Sequence, residues 1–117
     1  MTTNLKLNYV EFPAKYLSKT KAFFSQAFGW EFVDYGPAYT SFSGYGLDGG
    51  FFQSDLSSVT INGAALLVLL TDDIESSYNK VVECGGIIIH EIFEFPGGKR
   101  FHFKEPSGNE LAVWIKT

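Results

Sequence analysis

The chain of 117 residues has the length of one ordinary domain, and its aromatic share of 17% supplies a large apolar core. These two properties argue against a disordered chain. The net charge is −4 at pH 7 and the basic residues form no run longer than Lys99-Arg100, so we expect no nucleic-acid partner.

The sequence also predicts a cytoplasmic protein with no membrane partner. Its longest apolar stretch, 64–70, is too short to cross a bilayer, and the first seven residues lack the apolar core of a signal peptide. The single cysteine, Cys84, can form no internal disulfide, which fits a reducing compartment.

The first half of the chain predicts a strand, a helix and three short strands. Residues 5–12 alternate around Tyr9 and are followed by Pro13, which we expect to end the strand. Ser18 is a candidate cap for a helix that Gly29 closes, because apolar residues recur near the helical period between them. Glycine-containing turns then separate three predicted antiparallel strands, at 30–35, 39–43 and 51–53.

The second half predicts the same order of elements. Residues 64–71 form a nearly continuous apolar strand, and Asp72 or Asp73 can cap the helix that begins near Ile74. Gly85-Gly86 ends this helix. Three strands follow, at 87–93, 100–104 and 110–115, separated by turns at 96–98 and 106–108.

The two halves are related by a shift of 57 positions, which carries Leu17 to Ile74, Phe24 to Val81 and Gly29 to Gly86. We therefore predict an α+β fold in one domain spanning 1–117, with one βαβββ module at about 1–56 and a second at about 60–117. Each module has its helix on one face only, so the modules should form a curved, partly closed mixed sheet whose other face is a cleft.

Two segments resemble the vicinal oxygen chelate superfamily, which contains glyoxalase I, the bleomycin-resistance proteins and the extradiol dioxygenases. One is Asn-Tyr-Val-Glu-Phe-Pro at 8–13, followed by Ala-Phe-Phe at 22–24 and Phe-Gly-Trp at 28–30. The other is Phe-His-Phe-Lys-Glu-Pro-Ser-Gly-Asn-Glu at 101–110. The resemblance covers almost the whole chain and implies a small-molecule ligand and a homodimer.

The family's metal-ligand positions carry side chains that are unsuited to a metal here. The resemblance places them on the first and last strands of each half, where enzymes of the family use His, Gln or Glu. They fall on Tyr9, Leu66 and Ala112, with Gln53 the one oxygen donor in the fourth strand. Because Leu and Ala offer no ligand atom and neutral Tyr is a poor one, we expect no metal and no other cofactor.

Glu11 and Glu110 keep other possibilities open. Strand alternation puts Glu11 on the face of Tyr9, and Glu110 on the face of Ala112 and Trp114. Both are candidate catalytic residues, as a general base or as part of a shifted divalent-metal site. The structural alternative for each is a strand-end charge in solvent, or an ion pair with Lys104 or Arg100.

The predicted function is small-molecule binding, with a neutral or cationic ligand favoured by the acidic charge. Its expected lining is a set of strand residues: Tyr9, Phe52, Leu66, His102, Ala112 and Trp114. His102 faces away from Phe101 and Phe103, so it points either into the cleft or into solvent, and His90 is equally ambiguous. The alternatives are a glyoxalase-I-like lyase or isomerase, an extradiol-type dioxygenase, or a protein-interaction role with a vestigial cleft.

Overall fold

The computed structural model describes residues 4–117. Each half of this part of the chain contains one helix and four strands, and a 3-10 turn at Thr60–Asn62 lies between the halves. The elements in chain order are β1 (Tyr9–Ala14), α1 (Leu17–Phe28), β2 (Val33–Asp34), β3 (Tyr39–Phe42), β4 (Asp48–Gln53), β5 (Leu67–Leu70), α2 (Ile74–Glu83), β6 (Ile87–Phe95), β7 (Gly98–Lys104) and β8 (Glu110–Lys116). No helix in the described chain is long and apolar enough to cross a membrane.

The predicted tandem βαβββ modules are confirmed. The first sheet has the strand order β1-β4-β3-β2 and the second has the equivalent order β5-β8-β7-β6. In both sheets the first strand pairs in parallel with the last, and the other pairs are antiparallel. The helices begin at Leu17 and Ile74, which the shift of 57 positions relates. The eight strands form two separate mixed sheets of four, so the sheet is less closed than we expected.

The first strand lies later in the chain than predicted. It begins at Tyr9 rather than at residue 5, and it continues through Pro13 to Ala14. Leu5 and Leu7 are 95% exposed, so no other part of the described chain covers these two side chains. Pro13 is tolerated because β1 is an edge strand that pairs with β4 alone. On the unpaired side of an edge strand, a missing backbone N–H costs no hydrogen bond between strands.

Two local predictions in the helices had different outcomes. The expected cap at Ser18 is wrong, because α1 begins one residue earlier and its cap position, Tyr16, makes no side-chain cap hydrogen bond. The cap at Asp73 is confirmed, since its carboxylate accepts a hydrogen bond from the backbone N–H of Ser76 at 3.0 Å. Gly29 ends α1 in the left-handed conformation, as the sequence indicated.

Several strand ends also differ from the prediction. The fifth strand is shorter than 64–71, so Leu66 lies just before it rather than within it. The predicted strand at 51–53 begins earlier, at Asp48, and those at 87–93 and 100–104 extend to Phe95 and back to Gly98. These extensions follow from hairpin pairing, which continues to the turn whatever the polarity of the residues.

A shared aromatic core joins the two modules. Phe23 of α1 packs against Phe103 of β7, with ring centroids 5.6 Å apart, and Phe28 lies 6.1 Å from the same ring. Both Phe23 and Phe103 are fully buried. Because the helices occupy one side of each sheet, the opposite faces of the two sheets are the surfaces left for a ligand.

Candidate functional site

A row of hydrogen-bonded side chains crosses the helix-free face of the first sheet. Tyr39 donates to the carboxylate oxygen Oε2 of Glu11 at 2.8 Å, and its hydroxyl also hydrogen-bonds the hydroxyl of Tyr9. Tyr9 and Glu11 alternate with Val10 and Phe12, whose side chains pack into the core. The predicted shared face of Tyr9 and Glu11 is therefore confirmed, and Tyr39 joins them. We call these three residues the Tyr-Glu-Tyr row.

Gly50 makes the Tyr-Glu-Tyr row possible. It pairs with Glu11 on one neighbouring strand and with Ser41 on the other. The side chain of Tyr39 lies over Gly50. A Cβ atom at position 50 would collide with the Tyr39 hydroxyl. Burial raises the pKa of Tyr39, and its hydrogen bonds to Tyr9 and Glu11 raise this pKa further. Tyr39 is therefore a stable neutral donor at physiological pH.

Aromatic surface surrounds this row. Phe52 lies two residues beyond Gly50 on the same face, pairs with Tyr39, and is 37% exposed. Tyr9 is also exposed, with 46% of the residue's surface accessible to solvent. The row thus combines one carboxylate with two or three accessible ring faces, a combination that suits a ligand with a donor or positive group attached to a ring.

The corresponding face of the second sheet holds a buried histidine–glutamate pair. His102 Nδ1 lies 3.0 Å from Glu110 Oε2, and both residues are almost fully buried. The other oxygen, Oε1, accepts hydrogen bonds from the backbone N–H and the hydroxyl of Thr60, at 2.9 and 2.8 Å. The 3-10 turn therefore covers β8 and fixes the carboxylate.

The surroundings of Glu110 favour its ionised form. Burial raises the pKa of this carboxyl group, but the hydrogen bonds from His102 and Thr60 outweigh that effect and hold the pKa below its usual range. The ion pairs with Lys104 or Arg100, one structural alternative for the two glutamates, are not formed in residues 4–117, where Glu110 contacts His102 and Glu11 contacts Tyr39. Lys21–Asp34 is the other ion pair in this part of the chain.

His90 extends this pair to a cluster of three possible metal ligands. It faces His102 across β6 and β7, with ring centroids 4.7 Å apart. One ligand atom from each of His90, His102 and Glu110 lies within 4.8 Å of the others. We call these three residues the His-His-Glu cluster. Strand alternation did not predict this cluster, because β6 is irregular on both sides of His90 and alternation does not show where that side chain lies.

The family's own metal-ligand positions do not fit a metal in this fold. Ala112 is completely buried between Val68 and His102 and has no donor atom. Leu66 likewise offers no donor, and the Tyr9 hydroxyl is engaged with Tyr39. No step of any reaction can therefore be assigned to a metal at these positions.

The remaining predicted site residues lie on the expected face of the second sheet. Glu110, Ala112 and Trp114 alternate with Leu111 and Val113, which belong to the core. Trp114 is half-buried against Phe95, with ring centroids 6.0 Å apart. His102 faces away from Phe101 and Phe103, as alternation predicted.

A groove of about 800 Å³ lies elsewhere, where the end of α1 meets β5 and α2. Gly29, Leu70 and Lys80 are among its lining residues. None of the site residues predicted from the sequence lines it. Val68 and Leu70 of β5, which pair with Ala112 and Trp114 on β8, also line it, so the groove reaches the β5 edge of the helix-free face of the second sheet.

The tandem βαβββ modules define the fold class of this chain, and a family model identifies the group of proteins within it. Residues 6–113 match the model of the Glyoxalase/Bleomycin resistance protein/Dioxygenase superfamily. The chain belongs to this superfamily, as the resemblance predicted. A search of curated protein sequences found no match.

Solved structures of similar fold are distant in sequence. A glyoxalase-related enzyme from Fulvimarina pelagi is 15% identical, with a TM-score of 0.80 over 95% of this chain and 88% of that chain. A glyoxalase/bleomycin resistance protein/dioxygenase family enzyme from Burkholderia phytofirmans PsJN is 17% identical, with a TM-score of 0.80 over 97% and 100%. Lactoylglutathione lyase from Agrobacterium tumefaciens is also 17% identical, with a TM-score of 0.71 over 97% and 96%. These similarities establish the fold alone.

Proposed function

We propose that this protein binds a small neutral or cationic molecule with an aromatic or apolar ring, on the helix-free face of the first sheet. The observation that carries the proposal is the Tyr-Glu-Tyr row, in which the Tyr39 hydroxyl links Tyr9 to the Glu11 carboxylate, beside the exposed rings of Tyr9 and Phe52. In this proposal the ligand is held without the metal of the family's enzymes, since the equivalent positions hold Tyr9, Leu66 and Ala112.

The geometry of Glu11 favours a ligand that donates hydrogen bonds. Tyr39 donates to Oε2, and no other hydrogen bond to this carboxylate occurs in residues 4–117, so Oε1 can accept from a ligand. A charge-assisted hydrogen bond of this kind is stronger than a neutral one. The net charge of −4 also favours the approach of cations over anions.

Catalysis by a glutamate base is less well supported than binding. Both oxygens of Glu110 already accept hydrogen bonds, and its pKa is lowered, so it is a weak base. Glu11 keeps Oε1 free, so of the two glutamates it is the better placed to accept a proton. From the family resemblance we also propose a homodimer located in the cytoplasm.

The test is an NMR titration of the 15N-labelled protein with three ring compounds of similar size, in buffer containing EDTA. The compounds are benzyltrimethylammonium, benzyl alcohol and benzoate. We expect the cation to shift the amide signals of β1, β3 and β4 most strongly and benzoate least. The Glu11→Gln variant should weaken cation binding by about fivefold or more, because a nearby opposite charge is lost.

The matched control is Glu94→Gln, which removes the same charge from an exposed position on β6 of the second sheet. This variant should bind the cation as the unchanged protein does. The proposal is overturned if no compound shifts β1, β3 or β4, or if the two variants weaken cation binding equally.

A further inference from the structure

We propose that the His-His-Glu cluster of the second sheet is a binding site for one divalent transition-metal ion, of the class of Fe²⁺, Co²⁺, Ni²⁺ or Zn²⁺. The cluster comprises His90, His102 and Glu110, each from a different strand. This site is separate from the Tyr-Glu-Tyr row and lies at none of the family's ligand positions, so it does not depend on the function proposed above.

The donor set selects the class of ion. Two imidazole nitrogens with one carboxylate oxygen suit borderline transition metals, whereas Mg²⁺ and Ca²⁺ prefer oxygen ligands throughout. The three ligand atoms already lie within 4.8 Å of one another. Since such ions bind at about 2.0–2.2 Å from each donor, the donors of one ion lie about 3–3.6 Å apart, and the three side chains must rotate toward one another to close the site.

The buried ring of His102 provides an independent reason to expect a ligand. Its Nδ1 atom faces Glu110, while its Nε2 atom is buried and has no hydrogen-bond partner. Buried polar nitrogens are normally satisfied, because leaving one without a partner costs free energy. A metal ion bound by Nε2 gives this atom a partner, and the hydrogen bond between Nδ1 and Glu110 is given up when Oε2 also turns to the ion.

Thr60 supplies the outer support that metal sites in proteins usually have. Its N–H and hydroxyl hold Oε1 of Glu110, so that Oε2 is the oxygen turned toward His102. Supporting hydrogen bonds of this kind restrict the carboxylate to one orientation. The 3-10 turn at Thr60–Asn62 therefore pre-arranges one of the three ligands.

The burial pattern leaves an entry path for the ion. His102 and Glu110 are buried, whereas His90 is exposed to solvent. An ion can therefore reach the cluster from the His90 side. Three protein ligands leave at least one coordination position for water or for a small molecule that displaces water.

The experiment is a titration of the full chain, carrying no histidine tag and stripped with EDTA, with Co²⁺ and with Zn²⁺. Calorimetry gives the stoichiometry and affinity, and the visible absorption of Co²⁺ reports its ligands. We expect one ion per chain, and we expect 10 mM Mg²⁺ not to displace it. Because the chain has only two histidines, Zn²⁺ should shift both sets of imidazole 15N signals.

Two variants test the assignment of the ligands. His90→Gln changes an exposed residue and should fold normally, and Glu110→Gln keeps the size of the buried side chain. Each should weaken Co²⁺ binding at least tenfold. Glu94→Gln, on the same strand as His90, is the control and should leave the affinity unchanged.

The site is overturned if the stripped chain binds neither ion, or if His90→Gln binds Co²⁺ as tightly as the unchanged protein. Far-ultraviolet circular dichroism establishes whether each variant is folded, and His90→Gln alone decides the question should Glu110→Gln unfold. These titrations contain no ring compound, whereas the ligand titration of the first sheet contains EDTA. Each experiment can therefore contradict its own proposal while leaving the other proposal unaffected.

Discussion

Glu105 is a buried carboxyl group that ties the second module to the first. It accepts hydrogen bonds from the hydroxyl of Thr20 on α1, at 3.1 Å, and from the side-chain amide of Asn109, at 3.2 Å. The backbone N–H of Ser107 also donates to it. Asn109 in turn donates to the backbone carbonyl of Pro13 on β1, at 2.6 Å. One carboxyl group thus organises the contact between the β7–β8 turn and the first module.

The ionisation of Glu105 should make stability depend on pH. Burial raises the pKa of this group to about 7, against 4.5 for its ordinary value, although the hydrogen bonds from Ser107, Asn109 and Thr20 oppose the shift. The folded chain therefore holds the proton more tightly than the unfolded chain. The stabilisation from this group is complete below about pH 4.5 and is lost as the pH rises toward about 7.

We expect Glu105→Gln, which resembles the protonated acid, to remove this loss. Between pH 4.5 and pH 7, the unfolding free energy of the variant should rise relative to that of the unchanged protein. The size of the change should be of order 1–3 kcal/mol. Urea unfolding at a series of pH values measures it, and exposed Glu94→Gln provides the control. A difference that stays constant over this range would contradict the assignment.

Gly29 and Gly86 occupy equivalent positions after the two helices, yet they are required for different reasons. Gly29 has a φ of 75°, in the left-handed region, and a Cβ added there would meet no atom within 4 Å. At Gly86 a Cβ would lie 2.5 Å from Val81 Cγ1, 2.9 Å from its carbonyl oxygen and 3.0 Å from the ring of Phe23. The first glycine permits a conformation, and the second permits close packing of α2 on the core.

The two alanine variants should therefore differ in cost. Gly29→Ala should destabilise the fold by about 1 kcal/mol, which is the penalty for placing a Cβ in the left-handed region. Gly86→Ala should cost about 2–3 kcal/mol, because a core that is already filled must move. Denaturant unfolding of both variants measures the two values. Equal costs would contradict the structural distinction between the two positions.

At the scale of the elements, the two repeated modules could be predicted from the sequence alone. The two βαβββ modules were predicted from the helical periodicity, from Gly29 as a helix-ending residue, and from the shift of 57 positions between the halves. These features depend on neighbouring residues or on a comparison of the two halves, and neither requires the folded structure. The ends of β1 and β5 were wrong, because strand ends depend on the partner strand. Pro13 remains in a strand because β1 has a free edge, which no local signal reveals.

The candidate site was predictable in part for the same reason. Alternation placed Glu11 with Tyr9, and Glu110 with Ala112 and Trp114, on single faces. Tyr39 and Thr60 were not predicted, since both come to the site through long-range pairing or through the 3-10 turn. His90 meets His102 through a strand with irregular register, and only the folded pairing shows it.

At the scale of the whole molecule, the modules have separate sheets but one core. The ring of Phe23 in the first module packs on Phe103 of the second, and Phe24 stacks on Trp30 at a centroid distance of 4.8 Å. A continuous chain of buried rings therefore connects Trp30 with β7. Because burying these rings requires both modules, we expect the chain to unfold in a single transition.

The two tryptophans allow a direct test of this cooperativity, since Trp30 lies in the first module and Trp114 in the second. In a Trp114→Phe background, fluorescence reports Trp30 alone. Phe101 is fully buried and packs against Tyr78, within the second module. Phe101→Ala should destabilise the fold by about 3–5 kcal/mol, and the milder Phe101→Leu by about 1 kcal/mol. In a cooperative molecule either change lowers the urea midpoint reported by Trp30.

Val82→Ala is the matched control, because Val82 lies on α2 of the same module but is half exposed, and the midpoint should hardly move. If the modules unfolded independently, Trp30 would keep its midpoint in both Phe101 variants, while part of the far-ultraviolet circular dichroism of the chain would be lost at a lower urea concentration. Coincident shifts by both probes would instead mean that the second sheet, with its His-His-Glu cluster, and the first sheet, with its Tyr-Glu-Tyr row, share one folding equilibrium. A metal ion bound to the second sheet would then stabilise the first as well, by mass action on that common equilibrium.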